Sequence, residues 1–438
     1  MTLLAAHNIE RHIRVLTEDI GIRLAGSAQE KQAADYVADQ FKRTGAEVQI
    51  EDVTVQERFV QAECLEACIH GAWHRFNGSL LSNAAGTGGK TLEAPPVFFA
   101  SETEYQKKDL SCLSGKAVVH LGSHIENADQ YRRLVQAKPA FVLFVDVRYP
   151  GAVPTSDGMF PSYVHAYGAL PIVSMAFLDA WSWQEKQVSS IRLSVTGGMR
   201  AAVSPNVIAE FPGTDPDTGL LLAAGHHDTQ ADSVGADDNA TGVAMVLELA
   251  RTLSKVPRKR TIRLISFGAE EQLSAGSAAY VRQHRAELTA QGQFMLNFDA
   301  CGSLLGWTEL FCCGPDPMGG YLSHFFNAQE EYIKLNCEVI PYSDHFPFTA
   351  CGVPSAWITR LNCTSGRFFH HRPDDTISRV SPGKLAKLSL ISHSILDQMA
   401  TNDTPVFPAH IPDNQQKEVD RQWQELFGGW QGFEGRKG

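Results

Sequence analysis

The residue types in this chain that are suited to metal chemistry are imidazoles and carboxylates crowded between residues 223 and 271. Three segments carry them: LLAAGHHD ends in polar side chains, GADDNATG contains adjacent aspartates, and adjacent glutamates follow soon after TIRLISF. The candidate metal-binding residues in these segments are His226, Asp228, Asp237, Asp238, Glu270 and Glu271. Carboxylates this close raise one another's pKa unless a cation neutralises them. Imidazole with carboxylate suits zinc or a related divalent ion, because an all-carboxylate magnesium site would not need His226. The pattern therefore predicts a divalent-metal site.

Two buried strands are expected to position these side chains. The apolar run before His226 and the run TIRLISF both have the character of buried parallel strands. Between them, apolar residues from Val243 to Leu253 recur at helical spacing after a glycine-containing loop. The carboxyl ends of parallel strands meet at one edge of a sheet, where open α/β sheets bind ligands. The spacing thus predicts that both strands deliver their acidic residues to one crevice.

The wider chain favours an α/β fold with a doubly wound, mostly parallel sheet and helices on both faces. Strands alternate with helices from Asn206 onward, up to a final long helix at about 381–399. We expect a catalytic domain made of residues 1–58 and 201–405. Residues 59–200 contain short strands such as GKAVVHLG, FVLFVDV and LPIVSMA, which predict a small inserted, β-rich α+β domain. Residues 406–438 are rich in Pro, Gly and charge and are expected to form a surface tail.

Composition excludes several classes of partner. The hydrophobic content of 43% and charged content of 20% are those of an ordinary globular protein. A net charge of -11 argues against nucleic acid and anionic membrane as partners. The nine cysteines lack the paired spacing of a structural zinc module, and no apolar run approaches a membrane span of about 20 residues. The first residues lack the features of a secretory signal, so a cytoplasmic location is expected, provided that no upstream leader has been removed.

The order of these motifs resembles a known family. His226-x-Asp228, Asp237-Asp238, Glu270-Glu271, then Asp299 and His371 follow one another as in the co-catalytic zinc peptidases, which include bacterial leucyl aminopeptidases, glutamate carboxypeptidase, the transferrin receptor and glutaminyl cyclases. The resemblance covers about residues 1–55 and 205–400. Residues 59–200 look like the protease-associated domain that several members carry as an insertion. The resemblance implies a peptide substrate and a zinc peptidase fold.

The resemblance also implies the ligands of two zinc ions per chain. His226 and Asp299 correspond to ligands of one zinc, Glu271 and His371 to ligands of the other, and Asp237 to the carboxylate that bridges them. The family pattern places the second histidine four residues before an Asp-Thr pair, which selects His371 rather than its neighbour. In the family a cis peptide follows the bridging aspartate, so the resemblance predicts a cis bond between the two residues of the Asp237-Asp238 pair.

Further roles follow from the same likeness. Glu270 corresponds to the general base, and Asp228 to the carboxylate that orients His226. The chemistry of the two residues agrees with this role, because one of two adjacent glutamates can bind metal while the other faces the water. The remaining candidates for shaping the pocket lie in the YSDHFPF segment: Tyr342 as a donor to an oxyanion, and Asp344 and His345 as supports of the site.

Four functions compete on these residues. The first is an aminopeptidase, favoured by the acidic surplus and by an expected apolar pocket of Phe298, Phe346, Phe348 and Trp357. The second is a carboxypeptidase or dipeptidase, in which Arg360 and Arg367 bind a substrate carboxylate. Glutaminyl cyclases use one metal and lack the first histidine, so His226 argues against that activity. A silent binding protein would have lost ligands, and this chain has kept them.

Overall fold

The computed structural model describes residues 2–122, 124–148, 150–254, 257–361 and 368–433. Over these residues the chain divides into two compact units. The larger unit contains residues 2–55 and 202–430, and the smaller unit contains residues 56–201 with residues 431–433. Arg367, one of the predicted substrate-binding residues, lies outside the described residues.

Strands run through both units. They are β1 (Glu47–Ile69), β2 (Ala72–Phe76), β3 (Gly78–Leu80), β4 (Leu92–Ala94), β5 (Pro96–Ala100), β6 (Ala117–Gly122), β7 (Phe141–Asp146), β8 (Ile172–Met175), β9 (Ser190–Phe211), β10 (Leu220–His226), β11 (Thr261–Phe267), β12 (Gly292–Phe298), β13 (Trp307–Cys313), β14 (Ile333–Asn336) and β15 (Ser355–Leu361).

The α-helices alternate with these strands. They are α1 (Thr2–Arg14), α2 (Ala28–Arg43), α3 (Ser101–Glu104), α4 (Ala128–Ala137), α5 (Pro161–Tyr167), α6 (Phe177–Glu185), α7 (Thr241–Leu253), α8 (Ala275–Gln283), α9 (Arg285–Gln291), α10 (Asp316–Ala328), α11 (His345–Ala350), α12 (Pro382–Thr401) and α13 (Asp413–Phe427). None of the helices in the described part of the chain is both long and apolar enough to cross a bilayer.

The sheet of the larger unit has the strand order β14-β13-β15-β12-β10-β11-β9. The central pairs β11-β10, β10-β12 and β12-β15 are parallel, whereas β13 runs antiparallel to β15 and β9 runs antiparallel to β11. The expected α/β fold with a mostly parallel sheet is confirmed. The carboxyl ends of β10, β11 and β12 consequently lie at the same edge.

Helices cover both faces of this sheet. Alternate residues of β10 enter different hydrophobic clusters: Leu221 packs in the cluster that contains α7 and α12, and Leu222 packs in the cluster that contains residues of α8 and α11. Side chains alternate across a strand, so a strand that is apolar at every position must be buried on both faces. The whole of β10 is buried, which explains why its sequence has no alternation.

The segment from residue 406 onward was expected to be a surface tail, and that prediction was wrong. Residues 413–427 form helix α13, which buries Val419, Trp423, Leu426 and Phe427 and belongs to the larger unit. The spacing of these apolar residues is that of one helix face. Phe427 stacks on Phe346 of α11, with ring centroids 5.3 Å apart, so α13 supports the helix that follows Asp344.

The smaller unit has its own sheet. Strands β5, β6, β7 and β8 are parallel neighbours, and β3 is antiparallel to β8. Helices α3, α4 and α5 connect the parallel strands, so this unit is α/β and not the expected α+β. The helices α3 and α5 have only four and seven residues, which is too short for a periodic signal in the sequence.

Candidate metal centre

The predicted acidic residues gather at the carboxyl edge of the large sheet. His226 is the last residue of β10, and it pairs with Phe267 at the end of β11, three residues before Glu270. Asp299 directly follows β12. Glu270 and Glu271 begin a single turn of 3-10 helix after β11. The parallel register therefore brings residues that are far apart in sequence to one place, as predicted.

One group of ligating atoms surrounds His226. Its Nε2 lies 3.2 Å from Asp238 Oδ1, 3.6 Å from Asp299 Oδ1 and 3.7 Å from Glu270 Oε2. The ring of His226 is fully buried. Asp299 is held by Ser343, whose hydroxyl donates to Asp299 Oδ2 at 2.5 Å. His226, Asp238 and Asp299 lie close enough together to share one ion.

A second group surrounds His371. Its Nε2 lies 3.0 Å from Glu271 Oε2 and 3.5 Å from Asp238 Oδ2. His370 stacks on His371, with centroids 3.4 Å apart, and its Nδ1 lies 2.7 Å from Asp238 Oδ2. Asp238 therefore has one oxygen near His226 and the other near the two later histidines. This carboxylate joins the two groups.

The residue expected in that joining position was Asp237, and the structure places Asp238 there instead. The side chain of Asp237 turns away, and its Oδ1 accepts a hydrogen bond from the backbone N–H of Gly302 at 2.7 Å. The cis peptide is likewise displaced by one residue: it joins Asp238 to Asn239, not Asp237 to Asp238. Adjacent residues in this loop point in different directions, so only one of the two aspartates can face the histidines.

Asp228 holds the glutamate turn through its backbone. Its Oδ1 accepts the N–H of Glu270 at 3.0 Å and its Oδ2 accepts the N–H of Glu271 at 3.1 Å. The same Oδ1 lies 3.3 Å from Nδ1 of His226. The structure thus brings Asp228 to the histidine that it was predicted to orient, and adds a contact with both glutamates.

Asp375 holds the aspartate loop in the same way, a role that the sequence did not indicate, although this residue is the aspartate of the Asp-Thr pair that identified His371. Its Oδ1 accepts the N–H of Asp237 at 2.8 Å, and its Oδ2 accepts the N–H of Asp238 at 3.1 Å. Asp375 is buried and lies four residues after His371. It therefore ties the loop that carries one histidine to the loop that carries the joining carboxylate.

Arg23 is a second residue that sequence reasoning missed. Its guanidinium is fully buried and donates to the carbonyl oxygens of Leu16, Gly21, His227, Val234 and Gly235. Burial lowers the pKa of Arg23 to about 10, and nearby carboxylates including Asp228 and Asp375 oppose that shift. A buried cation that binds only carbonyls fixes loop positions and also offsets part of the negative charge. Arg23 lies in the segment GIRLAGS, which interrupts the helical spacing of the N-terminal residues. That segment has no periodic pattern, so the sequence did not indicate a role for this arginine.

The electrostatics of the centre call for a cation. Burial by itself lowers the pKa of His226, but Glu270 and the other carboxylates raise it well above the ordinary value. Burial raises the pKa of Glu270 well above its usual range and that of Glu271 to about 7. The crowded carboxylates therefore favour a positive charge at this centre, and a bound metal ion can supply it.

The donor set fits zinc. Among the described residues, the ring nitrogens of His226 and His371 are buried and make no hydrogen bond of normal geometry, although carboxylate oxygens lie close to them. Oε1 of Glu271 is also buried without a hydrogen bond. Buried polar atoms without partners cost free energy unless something else binds them. Imidazole nitrogens together with carboxylate oxygens are zinc ligands. The residues that would hold zinc are His226, Asp238, Asp299, Glu271 and His371.

The three candidate residues of the YSDHFPF segment lie in different surroundings. Asp344 is fully buried next to the centre, its Oδ1 accepts from Ser277 Oγ at 2.6 Å, and burial raises its pKa to about 7. The buried ring of His345 stacks on Trp357 with centroids 5.7 Å apart, and burial lowers its pKa to about 3. Trp357 in turn donates its ring N–H to the backbone oxygen of Asp299 at 3.0 Å. Tyr342 precedes them with a side chain that is 45% exposed.

Two predictions about substrate contacts were wrong. Arg360 does not offer its guanidinium to a substrate, because it donates to the carbonyls of Ser303 and Gly306 at 2.6 and 2.8 Å. The four aromatic residues expected to line a pocket are instead buried in the core: Phe298, Phe346, Phe348 and Trp357. Phe348, for example, packs against Phe267. Apolar strands and helices next to the centre supply packing, not a cavity wall.

Solved structures share this fold. A zinc aminopeptidase from Bacillus subtilis has a TM-score of 0.76 at 22% identity, covering 94% of this chain and 98% of that one. A peptidase M28 precursor from Shewanella amazonensis has a TM-score of 0.78 at 21% identity, with the same coverage of 94% and 98%. These likenesses establish the architecture.

Relatives establish the class. Aminopeptidase YwaD of Bacillus subtilis is 24% identical over 406 residues, which make up 90% of this chain and 85% of that protein. Carboxypeptidase Q of Mus musculus is 23% identical over 400 residues, which make up 85% of this chain and 81% of that protein. With the site above, they define the protein as a zinc-dependent metallopeptidase. Residues 206–396 match the model of peptidase family M28, and this match confirms the resemblance in the motifs.

Proposed function

We propose that this protein is a two-zinc exopeptidase that hydrolyses the N-terminal residue of peptides. The observation that carries the proposal is the placement of Asp238, with Oδ1 3.2 Å from His226 Nε2 and Oδ2 3.5 Å from His371 Nε2. Two neighbouring metal ions need a shared carboxylate. His226 and Asp299 complete one zinc site with Asp238, and Glu271 and His371 complete the other.

Glu270 is the general base in this proposal. It lies beside ligand Glu271, its side chain is 11% exposed, and its Oε2 faces His226 at 3.7 Å. The chemistry that zinc supplies when bound is Lewis acidity, which makes water easier to deprotonate near neutral pH. The Glu270 carboxylate accepts that proton and returns it to the leaving amine. Asp228 fixes the position of Glu270 through the backbone N–H.

The acidic surroundings favour an N-terminal residue as the group bound. A substrate ammonium requires carboxylates near the metals, whereas a terminal carboxylate requires an arginine or lysine. The alternative is a carboxypeptidase or dipeptidase, supported by the likeness to carboxypeptidase Q. The contacts of Arg360 with backbone carbonyls weaken that alternative, and within it Arg367 would have to bind the substrate carboxylate.

We further propose that residues 59–200, which lie within the compact unit of residues 56–201, are a protease-associated domain inserted in the catalytic domain. Support comes from the compact unit that these residues form and from its mostly parallel sheet. The stretch 56–201 begins within β1 and ends within β9, and it precedes the proposed zinc ligands in sequence.

Two measurements test the function. Elemental analysis of the purified protein is expected to give about two zinc ions per chain, whereas one would favour a cyclase-like site and none a silent binding protein. Hydrolysis of leucine arylamide is then compared with hydrolysis of an N-acetylated dipeptide, with Glu270→Gln as the inactive control. Cleavage of the blocked peptide alone, lost in Arg367→Ala and kept in Arg360→Ala, would replace the aminopeptidase by the carboxypeptidase.

A further inference from the structure

We propose that Ser274 is a positioning residue that holds the Glu270 carboxylate with one chosen oxygen facing the metal centre. This inference rests on the proposed role of Glu270 as the base. It concerns the hydroxyl of a serine four residues after Glu270, at the end of the turn that follows β11.

The contacts of the two carboxylate oxygens differ. Ser274 Oγ donates a hydrogen bond to Glu270 Oε1 at 3.2 Å, and Glu270 Oε2 lies 3.7 Å from Nε2 of His226. The backbone N–H of Ser274 also donates to the carbonyl oxygen of Glu270, at 2.6 Å. Ser274 is fully buried. Ser274 therefore donates hydrogen bonds both to the backbone carbonyl of Glu270 and to one oxygen of its side chain.

The ordinary role of a serine at this position does not account for the hydroxyl. Ser274 is the residue just before helix α8, where a serine side chain usually accepts a backbone N–H of the first turn. Here the side chain makes no such capping bond. The backbone φ is +48° at Ser274 and +60° at Leu273. These are left-handed values, which residues other than glycine rarely adopt. This backbone turns the hydroxyl back toward Glu270.

The hydrogen bond from Ser274 fixes the orientation of the Glu270 carboxylate. A glutamate carboxylate rotates about its last side-chain bond with little preference, so either oxygen can face the centre. A hydrogen bond donated to a carboxylate is stronger than one between neutral groups. With Oε1 bound to Ser274, Oε2 is the oxygen left to take and return the proton, and it stays in place after protonation because Oε1 still accepts.

Two substitutions separate this role from a structural one. Ser274→Ala and Ser274→Gly both remove the hydroxyl, but glycine relieves the left-handed backbone and alanine does not. We expect kcat on leucine arylamide to fall about tenfold or more in both variants, with KM within about twofold and zinc content unchanged. Melting temperature is expected to be higher for the glycine variant. Ser392→Ala, which removes a buried hydroxyl in α12, is the control and keeps the normal kcat.

A double-mutant cycle tests whether the effect of Ser274 on kcat depends on Glu270. In a Glu270→Gln background, Ser274→Ala is expected to change the residual kcat by less than about twofold, because the group it positions is no longer a base. The inference is overturned if kcat follows melting temperature across the two variants, if it stays normal, or if the loss persists in the Glu270→Gln background. A normal kcat in Glu270→Gln itself would instead overturn the proposed function.

Discussion

Asp237 and Asp238 form a matched pair for testing which carboxylate joins the two halves of the metal centre. They are adjacent and have the same chemistry, but only Asp238 lies within 4 Å of His226, His370 and His371. Asp237 instead accepts the N–H of Gly302. Substitution by asparagine keeps the volume of each side chain and removes only its charge and one acceptor oxygen.

The expected magnitude follows from that geometry. Two unit charges about 4 Å apart at an effective dielectric constant of about 20 interact by roughly 4 kcal/mol. Loss of the Asp238 charge is therefore expected to weaken zinc binding by roughly a thousandfold, since a tenfold change corresponds to about 1.4 kcal/mol. The amide oxygen of Asp237→Asn still accepts from Gly302, so this variant is expected to stay within about threefold of wild type.

Zinc affinity is measured by competition with a chromophoric chelator at fixed pH, and zinc content by elemental analysis after dialysis. Far-ultraviolet circular dichroism on the same samples checks that each variant is folded. The reasoning is refuted if Asp237→Asn loses zinc while Asp238→Asn retains it, because the joining position would then belong to Asp237.

Three further predictions use other parts of the molecule. Glu270→Gln is expected to keep both zinc ions and to lower kcat at least about 100-fold, and a near-normal kcat contradicts this. Asp375→Ala leaves two buried N–H donors without acceptors, so the free energy of unfolding in urea falls by about 2–5 kcal/mol; an unchanged midpoint contradicts this. His120 is stacked between two phenylalanine rings, and burial lowers its pKa from 6.5 to about 4. The folded state resists its protonation, so about 3 kcal/mol of stability is lost as pH falls from 6.5 to 4, and His120→Phe is expected to reduce that loss in melting curves.

The sequence predicted the parts of the fold that a local pattern encodes. TIRLISF coincides with β11, and the helix expected near 381–399 is α12. Continuous apolar runs and helical spacing are properties of neighbouring residues, so they can be identified without knowledge of the fold. The helix α13 had the same kind of signal, in Val419, Trp423 and Leu426, and the charge and glycine around it obscured the pattern.

The details of the centre depend on contacts that no local pattern encodes. Whether Asp237 or Asp238 faces the histidines is decided by the backbone of one loop and by the N–H of Gly302. The role of Asp375 depends on a loop 137 residues away in sequence. Arg360 lies near the end of the apolar strand β15 and was expected to be available to a substrate, but the loop before β13 supplies the carbonyls that bind it.

Asp228 and Asp375 each accept hydrogen bonds from two successive backbone N–H groups. Both partners in each of these four hydrogen bonds are protein groups, so the bonds do not require a metal ion. We therefore expect the loops that carry the proposed ligands to be held in place by the fold itself, before metal binds. Zinc uptake then buries little new surface, and we expect isothermal calorimetry to show a small change in heat capacity. We also expect that a chelator can remove the metal and that added zinc can replace it without unfolding of the chain.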